Sequence, residues 1–162
     1  MDSKDKKLAE FVGILLGDGS LCLKDGRNTN NRMKVTLNKV DDVEYVEYVK
    51  NLIFELFGLE AKVHLRDSEN ATDLFLFNKK IILYLVNDVG LQLSPKWNRA
   101  VIPAKFLSPE LGTYVIRGYV RNEPISEHDQ EHAAGLSPPV LDILIQMAVL
   151  LQRIIMEPSI LV

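Results

Sequence analysis

Two glycines four residues apart, Gly13 and Gly17, lie in an otherwise apolar segment near the start of the chain. The apolar residues of segment 8–16 recur at spacings of three and four, which is the period of a helix with one apolar stripe. Because glycine has no side chain, a second helix can approach this face closely, as small residues permit elsewhere. The sequence therefore predicts a helix that packs tightly on another helix and ends at the Gly-Asp-Gly turn of residues 17–19.

The segments that follow have periods that predict strands and helices in a regular order. Segment 32–38 alternates polar and apolar residues, and this period of two places the two sets on opposite faces of a strand. The order helix, strand, strand, helix, strand, strand, helix predicts an α+β fold with helices on one face of an antiparallel sheet. The other predicted strands are 20–24, 59–66 and 72–77, and the other predicted helices are 41–57, 79–89 and 108–120.

The net charge of −3 conceals a strong local asymmetry. Residues 19–39 carry five basic side chains against one acidic side chain, and residues 40–57 carry five acidic against one basic. Residues 123–162 are acidic as well, with six acidic side chains and one basic side chain. The first of these segments is therefore a candidate for phosphate binding, which the charge of the whole chain does not reveal.

The composition excludes several classes of protein. Cys22 is the single cysteine of the sequence, which excludes a disulfide scaffold and a zinc site built from the cysteines of one chain. A lone cysteine suits a reducing compartment, so we expect a cytoplasmic protein. Residues 1–11 lack the apolar core of a signal peptide, and no run of about 18 apolar residues is without charges, so we expect no membrane partner.

The end of the sequence changes in character. Residues 122–138 are polar and acidic, which predicts a linker. Residues 128–132, His-Asp-Gln-Glu-His, match a zinc-protease motif, but that motif needs a long helix, so we interpret these residues as part of the linker. Residues 139–162 predict an apolar helix with a narrow polar stripe, which must be buried against its own domain or a partner. The predicted organisation is an α+β half-domain over 1–107, a helix over 108–121, the linker and the C-terminal helix.

Asp18 ends the first predicted helix, and a carboxylate placed there can hold a hard divalent cation at a phosphate. Taken alone, Gly-Asp-Gly is more often a helix end and turn with a solvated carboxylate. The wider segment 11–19, Phe-Val-Gly-Ile-Leu-Leu-Gly-Asp-Gly, resembles the nine-residue motif of LAGLIDADG homing endonucleases, with Gly13, Asp18 and Gly19 in register. The elements that follow resemble the αββαββα half of that family, and the resemblance covers residues 8–120.

This resemblance implies a site-specific endonuclease, encoded by an intron or intein, whose saddle-shaped sheet sits on double-stranded DNA. It also implies that Asp18 is a catalytic ligand of Mg²⁺ and that the carbonyl of Gly17 lies close to the same ion. Such a cation activates the attacking water and stabilises the leaving oxygen. Lys96 resembles the basic residue with which the family tunes that water, and the alternative is an ordinary loop lysine.

The polar face of strand 32–38 is the predicted DNA-binding surface. A two-stranded ribbon fits the major groove, where arginine pairs with guanine and asparagine with adenine. The third predicted strand offers a weaker set in the same alternation, and the alternative for both sets is a solvated sheet face. The predicted DNA-binding residues are Lys24, Arg27, Arg32, Lys34, Thr36 and Asn38, followed by Lys62, His64 and Arg66.

A second copy of the motif is incomplete. Aligning Gly118 with the motif glycine puts Glu123 at the catalytic position and Pro124, which restricts the backbone, at the last glycine. Only 42 residues follow Val120, too few for a second half of the size of 8–107.

Two interpretations follow from the incomplete second motif. In one, the protein is a homodimer that is paired through the first helix and supplies two copies of Asp18. In the other, it is an inactive or truncated remnant that acts at most as a DNA-binding module. An RNA-splicing maturase on the same scaffold is a further alternative. The predicted dimer interface consists of Phe11, Val12, Gly13, Leu16 and Gly17.

Overall fold

The computed structural model describes residues 2–23, 31–38, 43–67, 69–94, 101–122 and 146. The predicted order of helices and strands is confirmed within these residues, and the α+β fold class with it. The elements are α1 (Ser3–Asp18), β1 (Gly19–Cys22), β2 (Arg32–Asn38), α2 (Val43–Phe57), β3 (Lys62–Leu65), β4 (Ala71–Leu76), α3 (Lys79–Leu83) and α4 (Pro109–Asn122). Helix α3 continues as a π-helical segment (Tyr84–Val89), and a 3₁₀ turn (Ala104–Phe106) precedes α4.

The observed boundaries differ from the predicted ones at several ends. Helix α1 runs from Ser3 to Asp18, so it begins before the predicted segment 8–16. The earlier start was missed because the first turn is polar and therefore adds nothing to the apolar period. Strand β3 is shorter than the predicted 59–66, and it starts only at Lys62. Helix α2 ends where Gly58 adopts a left-handed backbone with φ of 70°, and its N–H donates to the carbonyl of Phe54 at 2.8 Å.

The described residues form two compact units, one of 18–94 and one of 2–17 with 101–122 and 146. The first contains the four strands in the order β1-β2-β4-β3, and every neighbouring pair is antiparallel. Its core contains the apolar side of β2, as the alternation predicted, since Met33 and Val35 are fully buried. The predicted domain boundaries remain predictions.

The second unit is organised around the crossing of α1 and α4. Gly13 and Gly118 have no room for a side chain: a Cβ on Gly13 would lie 2.1 Å from the carbonyl oxygen of Val115, and a Cβ on Gly118 would lie 2.0 Å from that of Glu10. The contact is reciprocal, because each glycine faces the residue three positions before the other glycine. The close helix packing that the sequence predicted is thus formed within one chain.

Polar contacts flank this crossing. Glu10 is buried, and its carboxylate lies 3.7 Å from the Nε of Arg117 on α4. Ser108 caps α4 as predicted, since its Oγ accepts a hydrogen bond from the N–H of Leu111 at 3.3 Å. Gln146, in the predicted C-terminal helix, is helical and half-buried, and its Oε1 accepts the N–H of Ile102 at 2.9 Å. The rest of the predicted linker and C-terminal helix lies outside the described residues.

Within the described residues, no helix combines the length and the apolar character that a membrane-crossing helix requires.

Candidate nucleic-acid interface

The polar side chains of β2 lie on the sheet face opposite Met33 and Val35, which we call the polar face. Arg32, Lys34 and Thr36 are half-exposed there, and Asn38 at the strand end is exposed. Residues paired across antiparallel strands share a face, so the register extends this surface over β4 and β3. One row joins Lys34, Phe75 and Lys62, and the next joins Thr36, Asp73 and His64.

Two of the predicted DNA-binding residues are engaged in a polar network within the sheet. The guanidinium of Arg66 forms a bidentate pair with Asp73, with Nε–Oδ2 at 2.7 Å and Nη2–Oδ1 at 3.1 Å. Its Nη1 also donates to the carboxylate of Glu69 at 2.7 Å. The hydroxyl of Thr36 donates to Asp73 Oδ1 at 2.7 Å. Arg66 and Thr36 therefore hold a buried carboxylate, a role that the alternation alone did not reveal.

Charge is balanced at this end of the polar face. Burial raises the pKa of the Asp73 carboxyl, but hydrogen bonds from Arg66 and Thr36, together with the charges of Arg66 and Lys34, outweigh burial and leave that pKa below its ordinary value. The hydrogen bond to Asp73, and then that to Glu69, raises the pKa of Arg66. One guanidinium thus faces two carboxylates, so the net positive charge of the face lies with Arg32, Lys34 and Lys62.

Sequence reasoning missed an aromatic pair on the polar face. The rings of Phe75 and Phe77 stack with centroids 5.6 Å apart and an interplanar angle of 17°. The guanidinium of Arg32 lies 5.9 Å from the ring of Phe75, and the ammonium of Lys62 lies 5.5 Å from that of Phe77. His64 meets Phe75 edge-on at 6.4 Å. The signal was present in segment 72–77, where the phenylalanines alternate with buried leucines.

Asp18, the candidate metal ligand, is the last residue of α1, directly before β1, and it is half-buried. Among the described residues there is no group of three or more histidine, cysteine, aspartate or glutamate side chains that could hold a metal. Mg²⁺ does not need such a cage, since it commonly binds through one or two carboxylates with substrate phosphates and water. A single carboxylate next to the Gly17 carbonyl fits that donor set.

Several predicted site residues cannot be placed. Lys24 and Arg27, between β1 and β2, lie outside the described residues. The same holds for Lys96 and for Glu123, the residue at the catalytic position of the incomplete second motif. Their roles stay predictions.

The face predicted for a homodimer interface has a partner within the chain. Gly13 contacts the backbone of α4, Phe11 and Val12 are fully buried, and Leu16 is buried as well. Gly17, the remaining residue of that set, is half-buried. This arrangement was missed although Gly118 aligns with the motif glycine, because the incomplete end of the second motif led to the prediction that the partner helix comes from a second copy of the chain. Burying the glycine face therefore does not require a second copy.

Comparison with solved structures identifies the architecture. The chain matches a variant of the homing endonuclease I-DmoI in complex with its nicked target DNA in the presence of Mn, with 14% identity and a TM-score of 0.51 over 75% of this chain and 63% of that chain. It also matches I-DmoI in complex with DNA and Ca, with 17% identity and a TM-score of 0.50 over 75% of this chain and 59% of that chain. The fold is the LAGLIDADG endonuclease fold.

The resemblance drawn from residues 8–120 is thereby confirmed at the level of fold. The chain spans less than two thirds of the length of these I-DmoI chains. No protein-family model matches the chain, and no curated protein matches it.

Proposed function

We propose that this LAGLIDADG fold is a site-specific endonuclease that hydrolyses phosphodiester bonds of double-stranded DNA with the help of Mg²⁺. The observation that carries the proposal is the place of Asp18 at the end of α1, a helix that packs on α4 at backbone contact. The structures of I-DmoI with DNA and Mn or Ca support a DNA substrate and a divalent metal.

The polar face is the proposed surface for the major groove. Arg32 would pair with guanine and Asn38 with adenine, whereas Lys34 and Lys62 would contact phosphates or guanine. Lys24, Arg27 and His64 are proposed to extend the contact. We assign Arg66 and Thr36 a different role from the one first predicted, because their donors hold Asp73 and so stiffen the sheet that meets the duplex.

The proposed catalytic residues are Asp18 and Lys96. Asp18 would hold Mg²⁺ beside the Gly17 carbonyl, and the bound ion supplies charge stabilisation at the phosphate and lowers the pKa of water. Lys96 is proposed to tune the reactivity of the attacking water. Glu123 lies five residues after Gly118, as Asp18 lies five after Gly13, so the spacing in the sequence makes Glu123 the candidate for a second carboxylate within one chain.

Cleavage of both strands needs two carboxylates, and two assemblies can supply them. One chain can combine Asp18 with Glu123, or a homodimer can combine two copies of Asp18. The intramolecular packing of Gly13 favours the first assembly, because pairing through α1 would require α4 to leave. Sedimentation at the concentration used for cleavage distinguishes them, since a monomer that cuts both strands excludes the homodimer.

The function is tested with the Asp18→Asn variant and a pool of randomised duplexes, with and without Mg²⁺. We expect the variant to bind duplex DNA as the wild type does and to lose cleavage, because the amide keeps the shape but not the charge that holds the cation. The matched control is Asp67→Asn, an exposed carboxylate in the turn after β3, which should cut normally.

The other outcomes contradict the assignment of Asp18 or point to a different function. Cleavage by Asp18→Asn at the wild-type rate would contradict the assignment of Asp18. A wild-type chain that binds duplex DNA but cuts it under no metal condition would be a DNA-binding module. Tighter binding of structured intron RNA than of duplex DNA would favour a maturase.

A further inference from the structure

The polar face contains an apolar feature that the proposed DNA contacts do not use. Phe77 is 51% exposed, and Phe75 is half-buried in the row between Lys34 and Lys62. The two leucines that alternate with them, Leu74 and Leu76, are buried on the opposite side of β4. The phenylalanines therefore add little to the core, and a stacked aromatic pair on an otherwise polar surface is a candidate ligand contact.

The geometry of the pair indicates which part of the rings meets a ligand. The two rings stack on each other, and the cations of Arg32 and Lys62 lie over them. An unpaired base would need an open ring face on which to stack. Because these faces are engaged, we infer that the pair offers ring edges to a ligand. An edge of this kind suits a small apolar group rather than a stacked base.

The major groove offers one such group. The C5-methyl of thymine is an apolar feature of base edges there, and phenylalanine is among the side chains that contact it. On the assumption of the proposed function, we propose that Phe75 and Phe77 read thymine methyl groups and so determine part of the target specificity. The centroids are 5.6 Å apart, and successive bases rise by about 3.4 Å, so the pair covers a window of two to three base pairs.

The basic residues around the pair fit the same window. Lys34 and Lys62 flank Phe75 across the register, and Arg32 lies over its ring. Each cation can reach a phosphate or the acceptors of a guanine beside the thymine. Charged contacts on both sides of the methyl contact would then fix the position of the protein sheet along the duplex.

The test begins with the wild-type chain and a pool of randomised duplexes, from which tight binders are selected. Each thymine of a selected duplex is then replaced by deoxyuridine, which removes only the C5-methyl. We expect one to three clustered positions at which affinity falls about fourfold, the equivalent of one buried methyl-sized group. We expect the Phe77→Ala variant, and more strongly the Phe75→Ala variant, to lose this sensitivity while keeping the salt dependence of binding.

Phe54→Ala is the matched control, because Phe54 is similarly exposed at 53% but lies on α2 and not on the polar face. It should keep the uridine effect, and thermal melting should show all three variants folded. Equal affinity for thymine and uridine duplexes, or a uridine effect that survives in both the Phe75 and the Phe77 variant, overturns the inference alone. Tighter binding of single-stranded than of duplex DNA, lost in the same variants, would replace it by base stacking. If the pool gives no duplex binder, the proposed function fails as well.

Discussion

Replacing Gly118 by alanine tests the helix crossing on which the proposed site depends. A helix interior ordinarily becomes more stable by about 0.5–1 kcal/mol when glycine is replaced by alanine. Here the new Cβ would lie 2.0 Å from the carbonyl oxygen of Glu10, although real Cβ contacts essentially never fall under 3.0 Å. The obstacle is backbone on both sides, so no side-chain rotation relieves it. The two helices must separate by about 1 Å, enough to weaken the dispersion contacts along the crossing by a quarter to a half.

We therefore expect Gly118→Ala to lower the free energy of unfolding by about 1–3 kcal/mol, the usual cost of overpacking. Gly13→Ala should do the same, since its Cβ would lie 2.1 Å from the carbonyl oxygen of Val115. The double variant should lose less than the two single losses added together, because one added methyl group already opens the crossing for the other.

The assay is urea unfolding followed by circular dichroism, in which such a loss moves the midpoint by about 1 M. Lys80→Ala, at an exposed position of α3, is the control and should change stability by no more than about 0.5 kcal/mol. A Gly118→Ala variant that is as stable as the wild type would refute the crossing geometry, and fully additive losses would refute its reciprocity.

Two more predictions concern the sheet. Arg32→Ala should weaken duplex binding and reduce its salt dependence, measured by titration at several ionic strengths. Met33→Asp should instead unfold the domain, because Met33 is fully buried and a buried unpaired carboxylate costs several kcal/mol. A well-folded Met33→Asp chain would contradict the assignment of Met33 to the buried face of β2. Asp73→Asn should be less stable than the wild type at neutral pH. Since folding lowers the pKa of Asp73, its contribution is present above the unfolded pKa of about 3.9 and is lost as pH falls through the folded value, so the difference in urea midpoint should vanish in acid. A difference in urea midpoint that does not depend on pH would contradict the proposed stabilisation by the Asp73 carboxylate.

The sequence predicted the parts of the fold that depend on local periodicity. The alternation of 32–38 assigned Met33 to the core, and Gly58 and Gly90 marked helix ends that the structure places in the left-handed region with φ of 70° and 96°. These features are visible in sequence because they follow from backbone geometry and from burial on one face.

What the sequence did not predict depends on contacts between distant segments. The pairing of Arg66 with Asp73 requires the register of β3 on β4, and the partner of Gly13 requires knowing that α4 folds back within the chain. The aromatic pair was missed because Phe75 and Phe77 were interpreted as ordinary strand residues. The Arg66–Asp73 pair became evident only when antiparallel pairing brought β3 beside β4, and the contact of Gly13 only when α4 packed on α1. The aromatic pair became evident only when the register showed which face of the sheet it shares with Lys34 and Lys62.

The network of Arg66, Asp73 and Thr36 also limits how the target preference of this chain can be redesigned. A library that randomises the polar face as if each position were independent would include changes at Arg66 and Thr36. Many of those changes would leave the buried carboxylate of Asp73 without its donors, so that a screen for new targets would enrich clones for solubility rather than for recognition. Diversity is better placed at Arg32, Lys34 and Lys62, with the network kept as a constant part of the scaffold.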